Sequence, residues 1–152
     1  GRELNPRIGE FDIKTFNELR PGLILWALLD ISCVCHQYTK FGWVSDSIVL
    51  VTLFHLWYIV DSLINESTIL TQMDITTDGF GFMLSVGDLA WLPFTYCLQA
   101  RFLAFHPIHL GWFGVLAILA VQFTGYYIFR VANLEKNEFR HGRNPKGTYT
   151  MR

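Results

Sequence analysis

The sequence is short of charge. Charged residues make up 16% of its 152 residues, while apolar types make up 51%; a soluble domain usually carries about a quarter charged residues. The missing charge is missing from long continuous segments, which favours a membrane protein over a soluble globular domain. The net charge of −1 leaves no overall basic field, so we expect no nucleic-acid partner.

Two common chemical signatures are also missing. The three cysteines, Cys33, Cys35 and Cys97, lie inside apolar runs and lack C-x-x-C spacing, which argues for packing rather than a metal site or a disulfide framework. No glycine-rich dinucleotide fingerprint occurs, so any nucleotide site is not of the Rossmann type. There is neither an initiator Met nor a signal peptide. Both ends resemble cuts within a longer protein, of which we expect this chain to be the central part.

The apolar segments predict an all-α, polytopic transmembrane bundle. About four hydrophobic segments are present, one of them broken near Pro93, and Pro21 is expected to open the first helix. We assign the chain to the central part of a membrane domain with a membrane-surface segment, a transmembrane bundle and a cytoplasmic basic tail, at residues 1–20, 21–131 and 132–152.

The distribution of Lys and Arg predicts the orientation of the bundle. Residues 1–20 hold four of them and the tail from residue 132 holds five, whereas the loops on the opposite side offer only Lys40 and Arg101. Four crossings place both basic ends on one side, which the positive-inside rule assigns to the cytoplasm.

The second hydrophobic segment, residues 46–66, carries a regular stripe of polar residues. They recur every three or four positions and therefore share one helix face. Because lipid cannot satisfy polar groups, this face must point inward, and we interpret it as a cavity wall. The alternative is that its members are hydrogen-bonded to a neighbouring helix. The stripe consists of Thr52, His55, Tyr58 with Asp61 beside it, Ser62, and Asn65 with Glu66.

Residues 73–94 run from an acidic loop into an apolar segment that still carries Asp88. Asp74 lies in the loop, and Pro93 follows Asp88 by little more than one helical turn. A carboxylate in lipid must face protein, a cavity or a ligand. We therefore expect this stretch to help form an internal cavity, through a broken or re-entrant segment.

Two sets of residues predict chemistry. A tyrosine beside carboxylates in a low-dielectric cavity can donate a proton, which points to Tyr58 with its acidic neighbours. Lys136 and Arg140 are four residues apart and share a helix face, an arrangement suited to a phosphate-bearing ligand. On composition alone an ordinary stop-transfer cluster or contact with anionic lipid is the favoured explanation for that pair.

Seven motifs, spread along almost the whole chain, match those of one known family. They are Gly1-Arg-Glu-Leu-Asn-Pro-Arg7, Glu18-Leu-Arg-Pro-Gly22, Asp74-Ile-Thr-Thr-Asp-Gly-Phe-Gly-Phe-Met-Leu84, Gly87-Asp-Leu-Ala-Trp-Leu-Pro-Phe94, Leu98-Gln-Ala-Arg101, Ala132-Asn133 and Lys136-x-x-x-Arg140. Through them the chain resembles the sterol reductases of the endoplasmic reticulum, a family that includes C-14 sterol reductases, 7-dehydrocholesterol reductase, the fungal C-24(28) reductase and the lamin B receptor. The sequence is most similar to the fungal C-14 branch, while residues 130–133 depart slightly toward the 7-dehydrocholesterol type.

The resemblance implies a multi-pass enzyme of the endoplasmic reticulum membrane, surrounded by membrane lipid. It would reduce the C14=C15 double bond of a sterol intermediate with NADPH, by protonation to a C14 cation followed by hydride transfer. Lys136 and Arg140 match residues that contact NADPH in the family, and no metal is expected. Within this scheme we assign catalysis to Tyr58, Asp61 and Glu66, and the substrate pocket to His55, Asp74, Asp88 and Trp91.

The family's C-terminal signatures are absent from this sequence. Much of the nicotinamide-cofactor site is built there, so the chain alone is expected to bind NADPH poorly. Alternatives are a 7-dehydrocholesterol-type or C-24(28) reductase, or a non-catalytic scaffold like the lamin B receptor. A third hypothesis is a transporter that uses the broken segment near Pro93.

Overall fold

The computed structural model describes residues 4–142, and the chain divides into two compact units between His109 and Leu110. The predicted all-α class is confirmed. Three helices are long and apolar enough to cross a membrane by length and composition: Ile13–Phe41, Asp46–Ile64 and Gly111–Arg140. Within the described residues, strands are confined to a short hairpin, where β1 (Arg7–Ile8) pairs antiparallel with β2 (Phe11–Asp12).

Helix α1 (Ile13–Phe41) begins eight residues before the predicted start at Pro21. Asp12 caps it, because its Oδ1 accepts a hydrogen bond from the Thr15 backbone N–H at 2.9 Å, and Gly42 ends it with a positive φ of 77°. The prediction that Pro21 opens the helix is therefore wrong. A proline inside a helix removes one backbone hydrogen bond, and the capped first turn together with the packing of this long helix outweighs that loss.

Helix α2 (Asp46–Ile64) returns antiparallel to α1 after a short loop. Gln37 joins the loop to the neighbouring elements. Its Oε1 accepts from the Ser45 backbone N–H at 2.7 Å, and its Nε2 donates to the Leu103 carbonyl at 2.7 Å. A fully buried amide is tolerated in this position because its polar atoms are hydrogen-bonded.

The segment after α2 is divided into short pieces, which confirms the predicted break near Pro93. A 3₁₀ helix (Glu66–Thr71) and α3 (Met73–Thr76) form the acidic loop. They are followed by α4 (Phe82–Val86), a π-helical turn (Gly87–Trp91), α5 (Leu92–Tyr96) and α6 (Leu98–Phe105). We call the part from α4 to α6 the broken segment.

The proline explains where the π-helical turn stops. The Leu92 N–H donates to the Gly87 carbonyl, five residues back. Pro93 has no N–H, so it cannot repeat this bond to the Asp88 carbonyl. That carbonyl lies against α1 at Gly22, where a Cβ atom would come within 2.1 Å of the carbonyl oxygen. Only glycine permits this approach.

The core of the first unit joins three segments. Leu23 and Trp26 from α1, Ile59 from α2 and Cys97 from the broken segment form one buried apolar cluster. Between membrane helices such a cluster stabilises through close van der Waals packing, because lipid is as apolar as the cluster itself. The cluster holds α1 between α2 on one side and the broken segment on the other.

The second unit contains α7 (Gly111–Arg140). This helix continues without interruption from the predicted span at 110–131 into the predicted basic tail. None of its residues is buried within the structure. The tail is described only to residue 142, and residues 143–152 lie outside the described part of the chain.

Candidate functional site

The polar stripe of α2 faces α1. His55 Nδ1 lies 2.6 Å from Asp30 Oδ2, and the Tyr58 ring lies 5.9 Å from the Trp26 ring. At the far end, Arg20 and Glu66 form an ion pair. We call these three pairs (Asp30–His55, Trp26–Tyr58 and Arg20–Glu66) the polar seam. They favour the alternative interpretation of the stripe, in which polar groups join two helices.

Asp30 and Trp26 are the residues of this seam that the sequence did not single out, and Asp30 is the charged one. Its side chain is fully buried, whereas His55 keeps 17% of its side-chain surface exposed. A buried carboxylate requires a hydrogen-bonded partner, and His55 supplies it. Two further seam atoms, Asp30 Oδ1 and Trp26 Nε1, are buried without a hydrogen bond to any described residue. The interval between positions 26 and 30 places both on one face of α1, which is a signal that sequence reasoning could have used.

The predicted catalytic residues are spread along the seam. Tyr58 is 45% exposed and in ring contact with Trp26, and Trp26 also contacts the His55 and Tyr96 rings at 4.7 and 5.0 Å. Tyr58 and His55 therefore share one aromatic wall.

Asp61 and Glu66 lie farther along the chain. The Asn65 Nδ2 donates to the Asp61 carbonyl oxygen at 2.7 Å and to Asp61 Oδ1 at 3.2 Å. Arg20 binds Glu66 in a bidentate manner, with Nε to Oε1 at 3.1 Å and Nη2 to Oε2 at 2.8 Å. The Glu66 carboxylate is therefore held in one orientation.

The acidic loop packs against the first turns of α1. The buried Lys14 Nζ donates to the Ile75 carbonyl at 2.9 Å and also to the Asp78 carbonyl. Asp74 and Asp88, both predicted for the substrate pocket, interact electrostatically with Glu18. The structure thus brings these two predicted residues together and adds Glu18, which the sequence identified only as part of a motif.

This acidic group is partly unsatisfied. One oxygen of Glu18 and one of Asp88 are buried without a hydrogen bond to a described residue. Within residues 4–142, no group of three or more His, Cys, Asp or Glu side chains is arranged to hold a metal ion. Carboxylates this close can act on a proton or a developing positive charge.

A cavity of about 430 Å³ lies between α1 and the broken segment. This volume falls within the range of about 300–1,000 Å³ that small-molecule sites occupy. The lining is apolar apart from one guanidinium and two thiols. It consists of Leu25, Leu29, Cys33, Leu89, Ala90, Pro93, Phe94, Cys97 and Arg101.

None of the four predicted pocket residues, His55, Asp74, Asp88 and Trp91, belongs to this lining. Asp88 and Trp91 flank the lining residues Leu89 and Ala90 in sequence, and the Trp91 side chain is 64% exposed. His55 is on the α2 side of Trp26. The apolar lining residues carried no sequence signal of their own, because Leu and Ala at helical spacing are equally typical of a core.

The predicted phosphate-binding pair lies on α7. Lys136 and Arg140 are exposed and one turn apart near the C-terminal end of this helix. Both side chains can donate to a phosphate, Arg140 in a bidentate manner. The pair belongs to the second unit, where it is described by itself.

Comparison with known proteins finds relatives along the whole chain. Residues 1–151 match the model of the ergosterol biosynthesis ERG4/ERG24 family. The Delta(14)-sterol reductase erg24 of Schizosaccharomyces pombe is 66% identical over 145 residues, covering 95% of this chain and 34% of that protein. The Delta(14)-sterol reductase ERG24 of Saccharomyces cerevisiae is 54% identical over 154 residues, covering 100% of this chain and 35% of that protein.

A third relative agrees with these two. The Delta(14)-sterol reductase of Ascobolus immersus is 62% identical over 141 residues, covering 92% of this chain and 33% of that protein. The chain therefore spans about a third of the length of the curated relatives it matches. The family model and the three relatives lead to one conclusion: this chain belongs to the ergosterol biosynthesis ERG4/ERG24 family.

Proposed function

We propose that this chain contributes to an NADPH-dependent Δ14-sterol reductase of the endoplasmic reticulum membrane. Its reaction is the reduction of the C14=C15 double bond of a sterol intermediate. The observation that carries the proposal is the match along the chain to proteins named Delta(14)-sterol reductase, at 54–66% identity for the three described. The apolar cavity supports it, because a sterol is a rigid apolar molecule that needs such a lining.

The proposed chemistry begins with a proton. Tyr58 is the donor, and its hydroxyl proton goes to C15, which leaves a positive charge at C14. Aromatic faces stabilise such a cation, and the rings of His55, Tyr58 and Tyr96 all contact the Trp26 ring. The carboxyl groups of Asp61, near the end of α2, and Glu66, just beyond it, are proposed to stabilise this charge. Asp74, Asp88, His55 and Trp91 shape the surroundings of the substrate.

Lys136 and Arg140 are proposed to hold the phosphates of NADPH. Their spacing and exposure fit a phosphate-bearing ligand. NADPH, when bound, supplies the hydride that completes the reduction. The proposal includes membrane lipid as the surrounding medium and no nucleic acid.

A segment exchange tests the function. The part of the S. cerevisiae relative that this chain matches is replaced by this chain, and the chimera is expressed in a strain that lacks the native enzyme. We expect the accumulated Δ8,14-diene sterol to be consumed. A chimera that reaches the membrane in normal amount but leaves the diene unchanged would contradict the proposal. If deletion of the gene that encodes this chain, in its own organism, led to accumulation of a Δ5,7 or 24(28) sterol, a related specificity would be favoured instead.

A double substitution tests the cofactor assignment in the same chimera. Lys136→Ala with Arg140→Ala should raise the apparent KM for NADPH by about tenfold or more, since hydrogen bonds to charged groups contribute roughly 1.5–3 kcal/mol each. Lys40→Met, which removes a cation from the last turn of α1, is the matched control. An unchanged KM would return the pair to a lipid-facing role.

A further inference from the structure

Arg101 is the only charged residue in the lining of the cavity. It lies in α6, and the other lining side chains are Leu, Ala, Pro, Phe and Cys. An arginine at membrane depth needs a polar partner, and Arg101 is exposed, so a ligand can reach its guanidinium. Its guanidinium offers five N–H donors and no acceptor.

The other cations of the first unit already have partners. Among the described residues up to His109, Arg7 and Arg20 pair with carboxylates and Lys14 binds two carbonyls. Lys40 lies over two aromatic rings. Arg101 makes no hydrogen bond or ion pair with any residue that the structure describes, and it shares the cavity lining with the thiols of Cys33 and Cys97.

The cavity has two ends of opposite charge. The broken segment runs parallel to α1, since Gly22 meets Asp88 and Gln37 binds Leu103. Leu25 and Leu89 therefore lie at the end next to Asp88, whereas Cys33 and Arg101 lie at the other. Acidic groups gather beyond the first end, because Glu18 and Asp74 interact with Asp88.

This charge order fixes how a sterol would lie. A sterol carries one polar group, the oxygen at C3, and its reacting double bond develops positive charge when protonated. A guanidinium would repel that charge, whereas carboxylates would stabilise it. The C3 oxygen therefore belongs at the Arg101 end and the double bond toward the Asp88 end.

We propose that Arg101 determines substrate orientation and specificity by donating a hydrogen bond to the C3 oxygen of the sterol. This inference rests on the proposed sterol substrate. It predicts that any sterol with an acceptor at C3 is recognised, whether hydroxyl or ketone. A 3-deoxy analogue, which has no acceptor, should lose the contribution of Arg101 entirely.

The test is a matrix of variants and ligands, read by equilibrium binding in lipid nanodiscs. The complete reading frame that carries this chain is expressed as wild type, Arg101→Met, Arg101→Lys and the control Lys40→Met. Each is titrated with a C14-unsaturated 3-hydroxysterol, its 3-ketone and its 3-deoxy analogue. In the wild type the 3-deoxy analogue should bind about tenfold or more weakly than the other two.

The expected pattern separates orientation from folding. Arg101→Met should bind all three ligands equally, at the level of the 3-deoxy analogue in the wild type. Arg101→Lys should recover part of the preference, and Lys40→Met should keep all of it. An Arg101→Met protein that still prefers the oxygenated ligands, or that weakens all three alike, would overturn the inference, as would a wild type that binds none of them.

Turnover measured in parallel distinguishes the two proposals. Binding that depends on Arg101 without reduction of C14=C15 would contradict the proposed function and leave the role of Arg101 intact. Reduction without the preference for a C3 oxygen would leave the function intact and reject the role of Arg101.

Discussion

Helix α1 presents two neighbouring faces of different chemistry. Toward α2 it carries the charged and aromatic groups of the polar seam, including the buried Asp30. Toward the broken segment it carries Leu25, Leu29 and Cys33, which line the cavity together with Pro93 and Arg101. The first face resembles a helix–helix joint, and the second resembles a ligand site.

The difference shows that polarity in a membrane helix does not by itself mark a cavity. Polar side chains on facing helices satisfy one another when their positions match, as His55 does with Asp30. The cavity instead arises where regular packing fails. The π-helical turn and Pro93 displace the broken segment from ideal helix geometry, and space remains beside α1.

The largest expected effect comes from breaking the seam at its buried pair. His55→Ala leaves the fully buried Asp30 without its partner, and removing one member of a buried pair costs about 3–5 kcal/mol. The free energy of unfolding in detergent micelles measures the loss. Replacing both residues, Asp30→Leu with His55→Leu, should recover much of it. If His55→Ala lowered the free energy of unfolding by less than a substitution in the exposed Arg20–Glu66 pair does, the seam would not be a joint between the helices.

Tyr58→Phe separates catalysis from packing at the seam. Phenylalanine keeps the ring contact with Trp26 and removes the hydroxyl group that would donate the proton. We expect turnover to fall by about a hundredfold, at the low end of what general acid catalysis contributes, with NADPH affinity and stability unchanged. Sterol reduction rates under saturating substrate give the answer. Wild-type rates would remove Tyr58 from the mechanism and leave it in the joint.

Gly22 tests the close approach that borders the cavity. In Gly22→Ala the new Cβ would meet the Asp88 carbonyl oxygen at 2.1 Å, so the broken segment must move. Overpacking of this kind costs about 1–3 kcal/mol, and sterol affinity should fall with it. Gly87→Ala is the control on the same segment, since nothing lies within 4 Å of its added Cβ. Equal stability of the two variants would contradict the described packing.

The smallest expected effect is at the exposed end of the seam. Arg20→Gln should change the free energy of unfolding only slightly, because exposed ion pairs contribute little. Arg20 is 49% exposed. Glu66→Gln should affect stability equally little. Its turnover should fall, because the proposed role of the carboxylate is to stabilise the positive charge. Equal turnover in both variants would assign Glu66 to the joint.

Sequence reasoning predicted the fold class and the break near Pro93, because hydrophobic length and proline act locally. It misplaced the start of α1, since the cap at Asp12 and the packing of the whole helix decide whether Pro21 lies inside. It grouped Asp74 with Asp88 but did not pair His55 with Asp30, because the register between two helices is a property of the fold. Arg101 was quoted within a family motif and counted as a loop charge, although it lies in α6, for the same reason.

The native cysteines give the most direct test that the sterol site lies between α1 and the broken segment. Cys33 and Cys97 line the cavity, whereas the exposed Cys35 does not, although it is on the same helix as Cys33. Alkylation by a membrane-permeant maleimide can be followed at each cysteine by mass spectrometry, with and without a C14-unsaturated 3-hydroxysterol. We predict slower labelling of Cys33 and Cys97 and unchanged labelling of Cys35. Unchanged labelling of Cys33 and Cys97 at saturating sterol, or equal protection of Cys35, would contradict this location.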